Sequence, residues 1–211
     1  MSFIAVSGII GAGKSTLTKQ LEERGWKTYY EPVETNPYLE DFYQDMTGVG
    51  FKMQMYLLAQ RFRQHQEVVW DPAHRDGLGV AQDRSIYEDI VFANLLRDAG
   101  HIDQRDYDTY ISHFNVMKRY LVYPDAFIYL YVHPEVAHER INARRRECER
   151  EIPIDYLYAL SAGYTKLMEE MARYTTVLTV DWNRFRPAQE VLSALANLPQ
   201  AGPNLRNLAK I

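Results

Sequence analysis

Short apolar runs alternate with longer amphipathic stretches along almost the whole chain. Phe3-Ile4-Ala5-Val6, Trp26-Lys27-Thr28-Tyr29-Tyr30, Gly79-Val80-Ala81-Gln82-Asp83, Ala126-Phe127-Ile128-Tyr129-Leu130-Tyr131-Val132 and Thr176-Val177-Leu178-Thr179-Val180-Asp181 predict five strands. The run over 126–132 is apolar and aromatic almost without break, as expected of a strand covered on both faces of a parallel sheet. Between the strands the period changes. Leu39, Phe42, Tyr43 and Met46 fall at i, i+3, i+4 and i+7, and Phe51, Met55, Leu58 and Phe62 stripe a longer helix over 51–69. Further helices are predicted over 86–96, over 103–121 and from Pro134 through Val136, Arg140 and Ile141. Two more cover 154–173 and 187–198. The pair over 86–96 and 103–121 has two open readings, a helix-to-helix dimer contact and plain core packing. Strand and helix alternation predicts a doubly wound parallel α/β sheet with helices on both faces. The segment 199–211, with Gly202-Pro203, is expected to be a loosely held tail.

Composition narrows the class. The 211 residues suit one domain, and 46% hydrophobic with 25% charged residues is ordinary for a globular protein. A net charge of −4 argues against a nucleic-acid face, which needs clustered positive charge. No stretch is a candidate membrane span, and only seven residues precede Gly8, so a cytoplasmic protein is expected. The single cysteine, Cys148, excludes an internal disulfide and a multi-cysteine metal site.

Candidate chemistry begins directly after the first strand. Gly8-Ile9-Ile10-Gly11-Ala12-Gly13-Lys14-Ser15 is a complete G-x-x-x-x-G-K-S phosphate loop, and Thr16 continues into a helix. Its glycines let backbone N–H groups converge on phosphate oxygens, and the helix N-terminus adds favourable partial charge. Lys14 is expected against the β- and γ-phosphates, and Ser15 on Mg²⁺. The motif predicts nucleoside triphosphate binding.

Pro32 cannot donate to a sheet ladder, so the second strand is expected to stop there and present Glu31 at its carboxyl end, where ligands bind in such sheets. That acid is either a solvated strand end or a group facing the phosphate loop. Asp83 ends the third strand and is well placed to hold Mg²⁺, while Arg84 can neutralise transferring charge. Gln54 and Arg61 lie seven residues apart and share a helix face, which either meets solvent or reads a buried polar ligand. Asp89 could simply complement its helix dipole. Arg140, Arg144 and Arg146 belong to a mixed-charge run that is either a solvated surface or a cationic lid over the donor.

With Glu31-Pro32-Val33, Asp83-Arg84-Ser85 and the arginine run together, the chain resembles the deoxyribonucleoside kinase family over 3–198, in its deoxycytidine, deoxyguanosine and bacterial deoxyadenosine branch. The resemblance implies five parallel strands, ATP or another triphosphate as donor with Mg²⁺, a deoxynucleoside acceptor, and a homodimer built on a helical bundle. It implies Glu31 as general base on the sugar 5′-hydroxyl, with Arg84 beside it, and Tyr43 with Glu149 on the 3′-hydroxyl. Gln54, and the pair Arg61 and Asp89, would read the base; Arg140, Arg144 and Arg146 would be lid arginines; Asp181 would lie near the donor nucleoside. Animal members carry glutamate where this chain has Asp83, whereas bacterial deoxyadenosine kinases have aspartate there and share Glu31-Pro32-Val33-Glu34 and Asn36-Pro37-Tyr38. A purine deoxynucleoside, deoxyadenosine first, is therefore expected over deoxyguanosine or deoxycytidine.

A carboxylate opposite a phosphate loop suits a neutral alcohol acceptor, because an anionic acceptor calls for arginine clamps. Two alternatives remain at this level: a nucleoside monophosphate kinase of similar fold, and a nucleotide-binding switch without turnover.

Overall fold

The computed structural model describes residues 3–31, 35–74, 76–77, 79–144 and 152–198, together with the backbone of 208–210. The strands are β1 (Phe3–Ser7), β2 (Lys27–Tyr29), β3 (Val80–Asp83), β4 (Ala126–Tyr131), β5 (Thr176–Asp181) and β6 (Leu208–Lys210). They form one sheet in the order β2-β3-β1-β4-β5-β6, with every pair parallel. The five expected strands are present, and a sixth extends one edge. Its register, Val177 with Leu208 through Thr179 with Lys210, places part of the segment expected to be a loose tail in the sheet.

Every residue of β1 and β3 is buried, because helices cover both faces. These helices are α1 (Lys14–Glu22), α2 (Leu39–Gln44), α3 (Met46–Trp70), α4 (Asp89–Asp98), α5 (Gln104–Lys118), α6 (Pro134–Arg144), α7 (Ile154–Met171) and α8 (Ala188–Ala196). Helix α3 starts earlier than its apolar stripe predicts, because the Asp45 carboxylate accepts the Gly48 N–H at 2.8 Å and caps it there. Its inward face carries Gln54, Arg61 and His65 among Met53, Leu58 and Val68, so polar side chains run into the interior along a helix that otherwise packs as core. The segment expected as one helix from residue 86 opens instead as a 3-10 turn, Ile86–Glu88, before α4. Among the described residues no helix is long and apolar enough to cross a membrane.

The sheet topology positions the site. The connections leaving β1 and β3 run to opposite sides of the sheet, and the phosphate loop leaves the carboxyl end of β1 at this switch point. Register then selects the neighbours. Val6 pairs with Asp83, and Tyr29 pairs with Gln82, so Glu31 and Arg84 each lie two residues past a paired position and emerge side by side.

Candidate active site

A cavity of about 880 Å³ opens over the carboxyl ends of β1, β2 and β3, toward the upper end of the range typical of small-molecule sites, roughly 300–1,000 Å³. On one wall lies the phosphate loop. Gly11 and Gly13 adopt φ of 78° and 90°, and a Cβ at Gly11 would stand 2.5 Å from the Ala137 carbonyl oxygen, so glycine is required by backbone and by space. Ile10, Gly11, Gly13, Lys14, Ser15 and Thr16 line the cavity, while Gly8, Ile9 and Ala12 form the loop's base. The Lys14 ammonium donates to the carbonyls of Gly8 at 3.1 Å and Ile9 at 3.0 Å. Burial, aided by the Arg84 charge, pushes it down to about 8.

Ser15 Oγ donates to Asp83 Oδ2 at 2.6 Å, and Asp83 Oδ1 is buried with no donor among the described residues. Burial raises the Asp83 carboxyl above its ordinary value against the pull of Lys14. A hydroxyl and a carboxylate with a vacant oxygen are a donor set that fits Mg²⁺, which takes one or two protein oxygens and completes its shell with water and phosphate.

The opposite wall carries the acceptor side. Glu31 is 21% exposed and stands between two buried arginines. Its Oε2 accepts Arg84 Nε at 3.1 Å, and its Oε1 accepts Arg61 Nη2. Burial acts to raise its pKa, but Arg84, Arg61 and Lys14 overcome this and hold the carboxyl well below the usual range. The solvated reading of this strand-end acid is thereby excluded. Arg84 has φ 65°, a left-handed backbone that costs a non-glycine residue on the order of 1–3 kcal/mol and that recurs at functional sites. Its guanidinium lies 4.9 Å from the Phe92 ring centre.

Farther along this wall, Arg61 Nη1 donates to Asp89 Oδ1, so one guanidinium bridges Asp89 and Glu31. Gln54 is buried, and its Oε1, like Asp89 Oδ2, has no donor among the described residues. Gln54 and Arg61 therefore share a buried cavity wall rather than a solvated helix face, whereas Asp89, the first residue of α4, does not line the cavity and lies behind that wall as Arg61's partner. Tyr43 also lines the cavity.

Two expectations need correction. Asp181 does not reach the cavity: it is exposed, and its Oδ1 accepts the backbone N–H and side-chain amide of Asn183 at 3.0 and 2.8 Å. Asn183 follows two residues on, and the two form a local turn closed by the Asp181 carboxylate. Arg140 lines the cavity, but its guanidinium is spent on backbone carbonyls: Ala12 at 3.0 Å, Trp182 at 2.8 Å and Asn183 at 3.0 Å. Stacked 4.3 Å from the Phe185 ring centre, it ties the phosphate loop to the segment after β5 instead of standing free over it. Arg144 is exposed at the cavity rim, and Arg146 and Glu149 lie outside the described residues. The sequence reading missed Glu88 and Tyr164, which lie buried behind Arg84. The spacing Ser85-x-x-Glu88 is a capping box and could have drawn attention to Glu88; nothing local marks Tyr164.

Residues 4–198 match the family described as deoxynucleoside kinase. The chain belongs to that family. It is 42% identical over 183 residues to the deoxyadenosine kinase of Dictyostelium discoideum, covering 86% of this chain and 73% of the relative. It is 43% identical over 167 residues to the deoxyadenosine/deoxycytidine kinase of Bacillus subtilis (strain 168), covering 77% and 75%. Among solved structures, deoxyadenosine kinase from M. mycoides with bound dCTP matches with a TM-score of 0.81 at 31% identity, over 92% of this chain and 98% of that one. Kinship and fold agree: this deoxynucleoside kinase has the phosphate loop, parallel sheet and flanking helices of its relatives.

Proposed function

We propose that this enzyme transfers the γ-phosphoryl group of ATP, bound with Mg²⁺, to the 5′-hydroxyl of a purine deoxynucleoside, deoxyadenosine before deoxyguanosine or deoxycytidine, in nucleotide salvage. The observation that carries the reading is the Glu31 carboxylate, ionised and held by two arginines on the wall of the cavity that Lys14 and Ser15 also line.

In this mechanism Lys14 leaves the Gly8 and Ile9 carbonyls for β- and γ-phosphate oxygens. Ser15 and Asp83 would hold Mg²⁺, which would supply positive charge to offset that of the triphosphate. Arg84 faces the transferring phosphoryl group. The 5′-oxygen bonds to the γ-phosphorus, the bond to the β-γ bridging oxygen breaks, and the hydroxyl proton passes to Glu31. A carboxylate of depressed pKa is a weak base, which suits a loose transition state in which the hydroxyl proton is lost late. Tyr43 and Glu149 would hold the 3′-hydroxyl, and Arg144 and Arg146 would close over the donor. An acceptor already carrying a phosphate would meet Glu31 as a like charge, with both neighbouring arginines occupied.

The base preference rests on Gln54 Oε1, a buried acceptor on the cavity wall with no donor among the described residues. Adenine and cytosine each present an exocyclic amine there, and a side-chain amide pairs with adenine through two hydrogen bonds. Thymine presents a carbonyl in the corresponding place. With purified protein, ATP and Mg²⁺, the highest kcat/KM is expected for deoxyadenosine and a value lower by about 10-fold or more for thymidine. Turnover of dAMP or dTMP with none of any deoxynucleoside would overturn the proposal. A cytoplasmic homodimer packed through its helices completes the reading, by kinship with the family.

Lys14 supplies a pH test of the donor site. With its value near 8 in the free protein, the amine is largely uncharged above that pH, and phosphate oxygens restore the charged form. ATP binding is expected to take up about one proton near pH 9 and almost none near pH 7. The sign follows because folding lowers this lysine, so the free protein binds fewer protons than the unfolded chain above pH 8, and the ligand reverses this. Calorimetry in buffers of different ionisation enthalpy reads the uptake directly. A buffer-independent enthalpy near pH 9 would mean that Lys14 does not meet the phosphates.

A further inference from the structure

Behind Arg84, away from the cavity, lies a buried polar cluster that the mechanism above does not use. Glu88 has no exposed surface, and both of its oxygens are occupied. Oε1 accepts Ser7 Oγ at 2.7 Å, the Ser85 backbone N–H at 2.8 Å and Ser85 Oγ at 3.2 Å. Oε2 accepts the Tyr164 hydroxyl at 2.8 Å and stands 3.8 Å from Arg84 Nη1. The Tyr164 oxygen in turn accepts from Arg84 Nη1. Neither residue lines the cavity.

Glu88 therefore touches no ligand, yet its charge is placed with care. Arg84 sits between two acids, Glu31 on the reacting side and Glu88 behind. With Glu31 alone, a buried guanidinium would turn wholly onto that carboxylate and quench it. The rear acid, acting through a hydroxyl that spans the gap, keeps one edge of the fork on Glu31 and the other on Tyr164, a fixed geometry that the planar guanidinium can use. Burial and the Glu88 charge raise the Tyr164 pKa far above its ordinary value, so the hydroxyl stays protonated and donates to Glu88 at any working pH. Ser7 directly precedes the phosphate loop, so the same carboxylate ties the acceptor-side arginine to the start of the donor site.

We propose that Glu88 and Tyr164 are positioning residues for the transfer step: they hold Arg84 in register with Glu31 and, through Ser7, with the phosphate loop. This rests on the reading of Arg84 as the cation that meets the transferring phosphoryl group.

The test is a mutant cycle on kcat and KM with purified enzyme. Tyr164→Phe removes one oxygen and keeps the ring, which stacks on Tyr129 at 6.1 Å and meets Phe92 edge-on at 6.3 Å. It is expected to lower kcat about 10-fold, because small displacements of a positioned group are costly, and to leave both KM values within about threefold. Arg84→Lys lacks Nη1. In that background Tyr164→Phe is expected to change kcat by less than about twofold, whereas a packing role would cost the same in both. Glu88→Gln should follow Tyr164→Phe, and if it fails to fold the tyrosine variant still decides. A Tyr164→Phe enzyme within about twofold of wild type, or an undiminished loss on top of Arg84→Lys, would overturn the positioning role while leaving Arg84 in place. A near-wild-type Arg84→Lys enzyme would remove the reading of Arg84 and this inference together.

Discussion

Replacing Glu31 by glutamine is expected to cut kcat by about 10²-fold or more while changing ATP affinity by less than about threefold. Glutamine keeps the shape of the side chain and can still meet the guanidinium of Arg61 or Arg84, but it cannot take the hydroxyl proton. Folding should survive, because Arg61 retains Asp89 and Arg84 retains Glu88 and Tyr164. The pH dependence sharpens the test. Glu31 is held well below the usual carboxylate range in the folded protein, so it stays ionised down to acid pH. Its contribution to stability is full above the ordinary carboxylate value and fades only as pH falls below it. The wild-type to variant ratio of kcat should therefore be flat between about pH 5 and about pH 8, and any acid limb there belongs to another group. A variant within about fivefold of wild type would show that the proton goes elsewhere, and a ratio that collapses toward pH 5 would show that Glu31 titrates in the working range.

The donor half of this site could be read locally, because a phosphate loop is a contiguous motif whose glycines, lysine and serine do their work within one turn. Glu31 was visible for a related reason: a proline at the next position predicts the end of a strand, and strand ends in such sheets face ligands. What could not be read is whatever depends on two elements meeting. Spacing on α3 puts Gln54 and Arg61 on one face, but only the packing of α3 against α4 and the meeting of Arg61 with Glu31 beyond β2 turn that face toward Asp89 and Glu31. Strand order and register, rather than any motif, set Glu31 against Arg84. The sixth strand escaped because a three-residue edge segment has no periodicity of its own. Asp181 misled for a different reason. Only resemblance to the family points to it, and here its Oδ1 accepts from a residue two positions on. Arg140 falls at a spacing compatible with a lid, yet backbone carbonyls of two loops claim it, which no side-chain pattern records.

Arg61→Leu should produce the largest loss of stability, and its pH dependence identifies the cause. Arg61 bridges Asp89, whose side chain has no exposed surface, and Glu31, and it is itself 4% exposed. Removing one partner of a buried pair costs about 3–5 kcal/mol, because the remaining charge is left in a poor solvent. In a chain of this size that corresponds to a fall in Tm on the order of 10 °C. Without its arginine, Asp89 escapes the penalty by holding a proton, so its folded pKa rises above the unfolded value. The penalty then grows as pH rises from the unfolded to the folded value, and the defect should be smaller near pH 5 than near pH 8. Adding Asp89→Asn removes the orphaned charge and is expected to restore more than about half of the lost stability near pH 8, since neutralising both partners avoids an unpaired buried ion. Thermal melts across pH on the single and double variants would measure the effect. A single variant as stable as wild type, or a double variant no more stable than the single, would mean that Arg61 and Asp89 do not neutralise each other in the interior.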